Sequence, residues 1–259
     1  MVERLADGLW WLHGTRGSNV FLVEADDGQL ALVDCGFASS AAAIERELAS
    51  LASGRPLSAI LLTHRHSDHA GAAEAVRKAT GASVIAGRAD CTASDEGMVL
   101  FPTLGRSHFG RRFRMIGGQP LAIPVANAIE NPTDVLPGIR AVPTPGHTPG
   151  SVCFVVDRLG AAFVGDLVIS HSGTLTRSMR SANHDDPQYL ESIRAFANIA
   201  PGIGLPGHGS PLMAGFGDAL RALAALPRRK SSPRIVAGRV VRMATFTRGM
   251  VRRRKAYRP

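Results

Sequence analysis

The run Ala59-Ile60-Leu61-Leu62-Thr63-His64-Arg65-His66-Ser67-Asp68-His69 passes from an apolar strand, AILLT at 59–63, straight into four metal-ligand side chains. His64, His66, Asp68 and His69 fall within six positions, in a chain that holds 9 histidines in all. In an extended segment His64 and His66 project to the same side. Asp68 and His69 come where the chain turns toward the next helix, so they aim at a neighbouring point. One ion fits the first pair and a second ion the latter. Imidazole mixed with carboxylate suits zinc, iron or manganese.

Three more residues sit in matching contexts. His147 lies in TPGHTPG, directly after the strand-like GIRAVPT; Asp166 ends AAFVGD; His208 lies in LPGHG. Each is a ligand type at a strand end among glycines and prolines, and Gly146, Gly165 and Gly207 immediately precede them. Such residues let the backbone turn sharply beside an ion.

Outward from these motifs the chain reads as alternating strands and helices. GLWWLHG and SNVFLVEA flank a TRG turn, and QLALVDCG follows the hairpin signal Asp-Asp-Gly. Ile44, Leu48 and Leu51 give a helical spacing across 40–53, and AGAAEAVRKAT continues as a helix ended by Gly81. SVIAG at 83–87 is the next strand. The second half offers GIRAVPT, SVCFVVD and GAAFVGDLV, then a helix from Pro187 to Ile199 with Asp186 as N-cap, and a last short helix at 219–226. Strand–helix–strand alternation predicts an α/β layered fold with a helix-covered sheet face. Between about 91 and 138 the pattern lapses. Arg106, Arg111, Arg112 and Arg114 lie there without an acid between Glu96 and Glu130. The stretch reads as a surface excursion or a substrate-shaping flap whose Arg111, Arg112 and Arg114 form a cationic rim.

Composition narrows the class. The 259 residues are 45% hydrophobic and 20% charged, enough for a substantial core. No stretch approaches the ~20 apolar residues of a spanning helix, and the acidic N-terminal run does not read as a signal peptide. Cys35, Cys91 and Cys153 are isolated, which argues against a disulfide framework and for a reducing cytoplasm. Cys35 and Cys153 lie in apolar strand contexts and are expected to be buried. The net charge of +9 is unevenly placed: residues 228–259 carry 12 of the 30 Lys and Arg and none of the 21 Asp and Glu. Residues 1–227 therefore hold 18 bases against 21 acids, a net of −3. The chain divides into a body at 1–227 and a basic, partly disordered tail at 228–259 that suits nucleic acid or an acidic partner.

THRHSDH at 63–69, GHTPGS at 146–151, GD at 165–166 and GHG at 207–209, in that order, resemble the metallo-beta-lactamase fold superfamily of metal-dependent hydrolases. The resemblance covers nearly all of 8–226 and implies a four-layer αβ/βα sandwich. It implies that His64, His66 and His147 hold one divalent ion, that Asp68, His69 and His208 hold another, and that Asp166 bridges them, with zinc the expected metal and iron or manganese alternatives. Asp34, in LVDCG, matches a position that supports the site. Two cations sharing a water lower its pKa, and the resulting hydroxide attacks a carbonyl polarised beside them; Asp68 is the candidate to orient it or relay its proton. Within the superfamily, Asp166 stands where true metallo-beta-lactamases place cysteine or serine, which argues against β-lactam hydrolysis. What remains is similar to glyoxalase II-like hydrolases and lactonases acting on thioesters, esters or lactones. Tyr189 is the one tyrosine in range of a lactonase-type substrate contact; its place within the predicted helix DPQYLESIRAF gives it a plain surface or core role as the other reading. A mononuclear iron persulfide dioxygenase and a non-catalytic binding module on the same fold are the competing readings. The expected partners are a small anionic substrate and a second copy of the chain as a homodimer.

Overall fold

Strand β3 (Val20–Glu24) shows how the layers are built, because its alternate side chains enter two different cores. Val20 and Leu22 join one apolar cluster and Phe21 and Val23 another; the next strand, β4 (Leu30–Val33), splits the same way. Strands buried on both faces read as continuous apolar runs rather than alternating ones. The computed structural model describes residues 1–51, 54–104, 121–171, 173–199 and 201–227. Met1–Ala225 forms one compact unit, and the basic segment 228–259 lies outside the described residues.

Two sheets face each other. The larger takes β1 (Val2–Ala6), β2 (Leu9–Leu12), β3, β4, β5 (Leu57–Leu61), β6 (Ser83–Gly87) and β10 (Asn127–Ile129) in that spatial order. The smaller takes β11 (Thr133–Leu136), β12 (Ile139–Pro143), β13 (Val152–Val156), β14 (Ala161–Gly165) and β17 (Ile203–Pro206). Between them pack Phe21, Leu61, Phe154, Phe163 and Leu205, with the Phe21 and Phe163 rings 5.5 Å apart. Helices α1 (Ala41–Leu51) and α3 (Ala73–Thr80) cover the outer face of the larger sheet through Ile44, Leu48 and Val76. Helices α4 (Asp186–Ala197) and α5 (Phe216–Ala225) cover the smaller through Ile193, Phe196, Phe216 and Leu220. The result is the layered αβ/βα sandwich that the motifs imply.

Three expectations are corrected. The N-cap of α4 is Asp185, whose side chain accepts from the Gln188 N–H at 3.0 Å; Asp186 instead accepts from the Asn183 side chain. The helix after the histidine motif is broken at Gly71–Ala72 into a single turn, α2 (Ser67–Ala70), and α3. The span 91–138 is not one excursion: β7 (Cys91–Ser94), β8 (Gly97–Leu100) and β9 (Ile123–Val125) form an antiparallel sheet, β10 extends the larger sheet and β11 starts the smaller. Arg106, Arg111, Arg112 and Arg114 lie outside the described residues. Among the described residues no helix is long and apolar enough to cross a membrane.

The loops at the two sheets' C-terminal strand ends meet closely. At Gly87, where φ is an ordinary −65°, a methyl group would overlap the Gly150 carbonyl oxygen. Gly87→Ala should therefore destabilise the fold by about 3 kcal/mol through overpacking alone. A calorimetric scan should show Tm lower by roughly 6–12 °C, and an unchanged Tm would refute the close approach.

Candidate metal centre

Every candidate ligand leaves the C-terminal end of a strand: His64 to His69 after β5, His147 after β12, Asp166 after β14 and His208 after β17. His66 is extended (φ −65°, ψ 144°), and α2 then turns Asp68 and His69 inward. The Ser67 N–H donates to Thr103 O and the Thr103 N–H to Arg65 O, which fixes the motif against the segment after β8. The two sheets are joined beside the site where the Val152 N–H donates to Thr63 O at 2.8 Å.

All seven side chains come together as overlapping triplets. His64 Nε2 and His147 Nε2 lie 2.9 and 3.0 Å from His66 Nδ1. His208 Nε2 lies 3.3 Å from both His69 Nε2 and Asp68 Oδ2. Asp166 touches both groups: Oδ2 is 3.3 Å from His147 Nε2, and Oδ1 is 3.4 Å from His69 Nε2 and from His208 Nε2. Three ligand sets result, His64–His66–His147, His64–His69–Asp166 and Asp68–His69–His208, each with its atoms within 4.8 Å of one another.

The donor set fits divalent cations. Asp166 Oδ1 is buried with no hydrogen-bond partner among the described residues, an arrangement that costs ~1–3 kcal/mol unless something positive completes it. His69 Nδ1 is engaged by Asp34 Oδ2 at 2.7 Å and His147 Nδ1 by Asn183 Oδ1 at 3.0 Å. Each pair directs the other ring nitrogen, Nε2, toward the cluster, where its lone pair serves a cation once the ring is neutral. The two ends of the cluster differ electrically. Burial, with the neighbouring imidazoles adding to it, holds His64 well below the usual histidine range and His66 at about 3. Burial opposes charge on His69 and His208 too, but the carboxylates around them outweigh it and raise both. Burial would likewise raise Asp68, yet His69 and His208 hold it at about 2.

Asp34 is the one residue other than glycine with positive φ, 57°, among those described. Aspartate tolerates that region better than most side chains, and the strain sits next to the site. Its carboxylate accepts from the Thr63 N–H at 2.9 Å, the Thr63 hydroxyl at 2.8 Å and His69 Nδ1. Tyr189 requires a correction. It is 0% exposed, packed with Ile193 and Phe196 on the inner face of α4, and its hydroxyl accepts from the Ser178 N–H and donates to Leu167 O. It is a core residue that ties down the chain after Asp166 and does not form a substrate rim. Cys35 and Cys153 are buried as expected, and burial pushes the Cys153 thiol up to about 12.

Thr63 and Asn183 support the site without being candidate ligands. Thr63 opens the histidine motif, and its place before a ligand was a usable signal. Asn183 lies 36 residues from its histidine in a stretch without a pattern, so nothing marks it.

A strand-end cluster of five histidines and two aspartates between the sheets of an αβ/βα sandwich defines a class of metal-binding protein. The family description of the metallo-beta-lactamase superfamily matches residues 13–233, and the chain belongs to that superfamily. Among curated relatives, it is 26% identical over 205 residues to a thioesterase, pkgB, of Emericella nidulans, covering 76% of this chain and 47% of that one. It is 26% identical over 198 residues to an atrochrysone carboxyl ACP thioesterase of Aspergillus fumigatus, covering 75% and 51%. The chain thus spans about half the length of these two relatives. Solved structures of a metallo-beta-lactamase from Erythrobacter litoralis (TM-score 0.59, 22% identity, 86% of this chain and 95% of that one) and of a metallo-beta-lactamase family protein from Thermus thermophilus (TM-score 0.58, 22% identity, 85% and 78%) share its fold.

Proposed function

We propose that this chain is a binuclear metal-dependent hydrolase of carboxylic thioesters, esters or lactones, with zinc the preferred metal. The observation that carries the reading is Asp166: one carboxylate oxygen faces each triplet, and Oδ1 is buried without a hydrogen-bond partner among the described residues. A complete second triplet of Asp68, His69 and His208 favours two ions over the single iron of a dioxygenase. The fungal relatives are named thioesterases, which favours a thioester among the three bond types.

Two divalent cations supply, when bound, a water acidified toward neutrality and Lewis-acid polarisation of the carbonyl oxygen. The chain's part is to aim lone pairs and to move a proton. Asn183 and Asp34 fix the tautomers of His147 and His69, so both Nε2 atoms face the cluster. Asp68 is the more open of the two cluster carboxylates, 30% exposed against 10% for Asp166. Ionised at neutral pH, it takes the proton of the attacking water at a carboxylate oxygen and passes it to the leaving thiolate or alkoxide.

The test is metal analysis joined to a panel of thioesters, lactones, phosphodiesters and a cephalosporin, run under anaerobic conditions. Two ions per chain and oxygen-independent thioester or lactone cleavage, lost to a chelator and restored by zinc, are expected. In a parallel aerobic assay, stoichiometric oxygen consumption on a persulfide would replace this reading with the dioxygenase, and a chain that retains no metal would replace it with the binding module.

A further inference from the structure

Two polar residues outside the ligand set hold the loops that carry it, and they divide the work. Asp90 follows β6 and is buried, its side chain 0% exposed. Its carboxylate accepts from the Arg65 N–H at 3.0 Å, between His64 and His66. It also accepts from the Thr148 hydroxyl at 2.6 Å and the Gly150 N–H at 3.0 Å, just beyond His147. One side chain thus closes the two loops that supply the His64–His66–His147 triplet. No space remains for adjustment, because a methyl on Gly150 would overlap Asp90 itself.

Asn19 stands at the start of β3, on the other side of the centre. Its side-chain amide donates to Pro206 O at 2.9 Å and to Gly209 O at 2.7 Å, and its own N–H donates to Gly207 O at 2.7 Å. Three bonds therefore grip 206–209, with His208 in the middle. The preceding Ser18 N–H donates to Asp68 O at 2.8 Å, so the same hairpin reaches the second triplet twice. Asp90 serves only as an acceptor and the Asn19 side chain only as a donor, so neither is replaceable by its isostere.

We propose that Asp90 and Asn19 are separate positioning residues, Asp90 for the cation on His64, His66 and His147, and Asn19 for the cation on Asp68, His69 and His208. Neither touches a ligand side chain among the contacts described; each sets the backbone from which the ligands project. The proposal rests on the binuclear reading above. Outer partners of metal ligands typically control affinity ten- to a hundredfold, and here each control acts on one ion.

The test uses zinc release to a chromophoric chelator, in full-length protein with one triplet disabled at a time. In an H208A background, which retains the first cation, Asp90→Asn should weaken zinc binding at least tenfold and Asn19→Ala less than twofold. In an H66A background, which retains the second, the two effects should exchange. A residue that only stabilised the fold would weaken both ions alike. Equal weakening of both ions by either variant, or of neither by both, overturns the proposal while leaving two-ion binding intact. A wild-type chain that binds no zinc overturns the binuclear reading and this proposal with it. Should D90N lose its circular-dichroism signature of folding, T148V, which removes only one of the three donors, carries the same expectation.

Discussion

Replacing Asp166 with alanine is expected to release both cations at once. Its two oxygens are shared between the triplets, at 3.3 Å from His147 Nε2 and 3.4 Å from His69 Nε2 and His208 Nε2. Under the binuclear proposal, loss of that carboxylate would remove a ligand from each site and also the negative charge that offsets two dications in a buried place. Metal content should fall from two ions to fewer than one per chain. The rate constant kcat/KM should drop on the order of a thousandfold, ~4 kcal/mol of transition-state stabilisation. His66→Ala removes a ligand from one triplet only; it should abolish turnover as well, yet keep the second ion. An Asp166→Ala protein that still holds two ions by elemental analysis would show that the carboxylate does not join the sites.

The second large effect is expected at Asp34, through the state of His69. Asparagine keeps the size of Asp34 and accepts the same positive φ, so Asp34→Asn tests the hydrogen bonds with little backbone cost. The amide can face His69 Nδ1 with its NH2 only if the imidazole proton moves to Nε2, the nitrogen that points into the cluster. In that tautomer the lone pair is turned away from the cation. Binding of the second ion should weaken ten- to a hundredfold, while the melting temperature of the metal-free protein shifts little. Asp34→Ala should behave differently. It strands the Thr63 N–H in the interior, takes the carboxylate from the Thr63 hydroxyl and His69 Nδ1 and forces alanine into positive φ, a cost of about 3 kcal/mol. Metal titrations and thermal melts of the two variants separate the roles; equal loss of stability in both would refute the tautomer account.

Much of this was legible in the sequence, and the limits have a physical cause. The candidate ligands are rare residue types grouped at short spacing or framed by glycine after an apolar run, so His64 to His69, His147, Asp166 and His208 stand out, while Asp34 is marked only by the family resemblance. Asp90, Asn19 and Asn183 are ordinary polar residues that act on backbone or ring atoms as far as 190 positions away. Their meaning exists only after the sheets have packed. Tyr189 was readable differently: with Ile193 and Phe196 it falls at helical spacing, a pattern of burial. The span 91–138 hid its strands because CTAS and GMVL are four-residue pieces, too short for a period-two signal.

The placement of the ligands at both sheets' strand ends has a further consequence. Four of them come from 64–69 and three from 147–208, so each bound ion, held by the proposed ligands, draws together segments far apart along the chain. Such an ion is a reversible staple across the two halves of the sandwich. By mass action each site would add ~2.7 kcal/mol of resistance to unfolding when free metal stands at a hundred times its Kd. The cell's trace-metal supply would then set how long this protein persists as well as how fast it works.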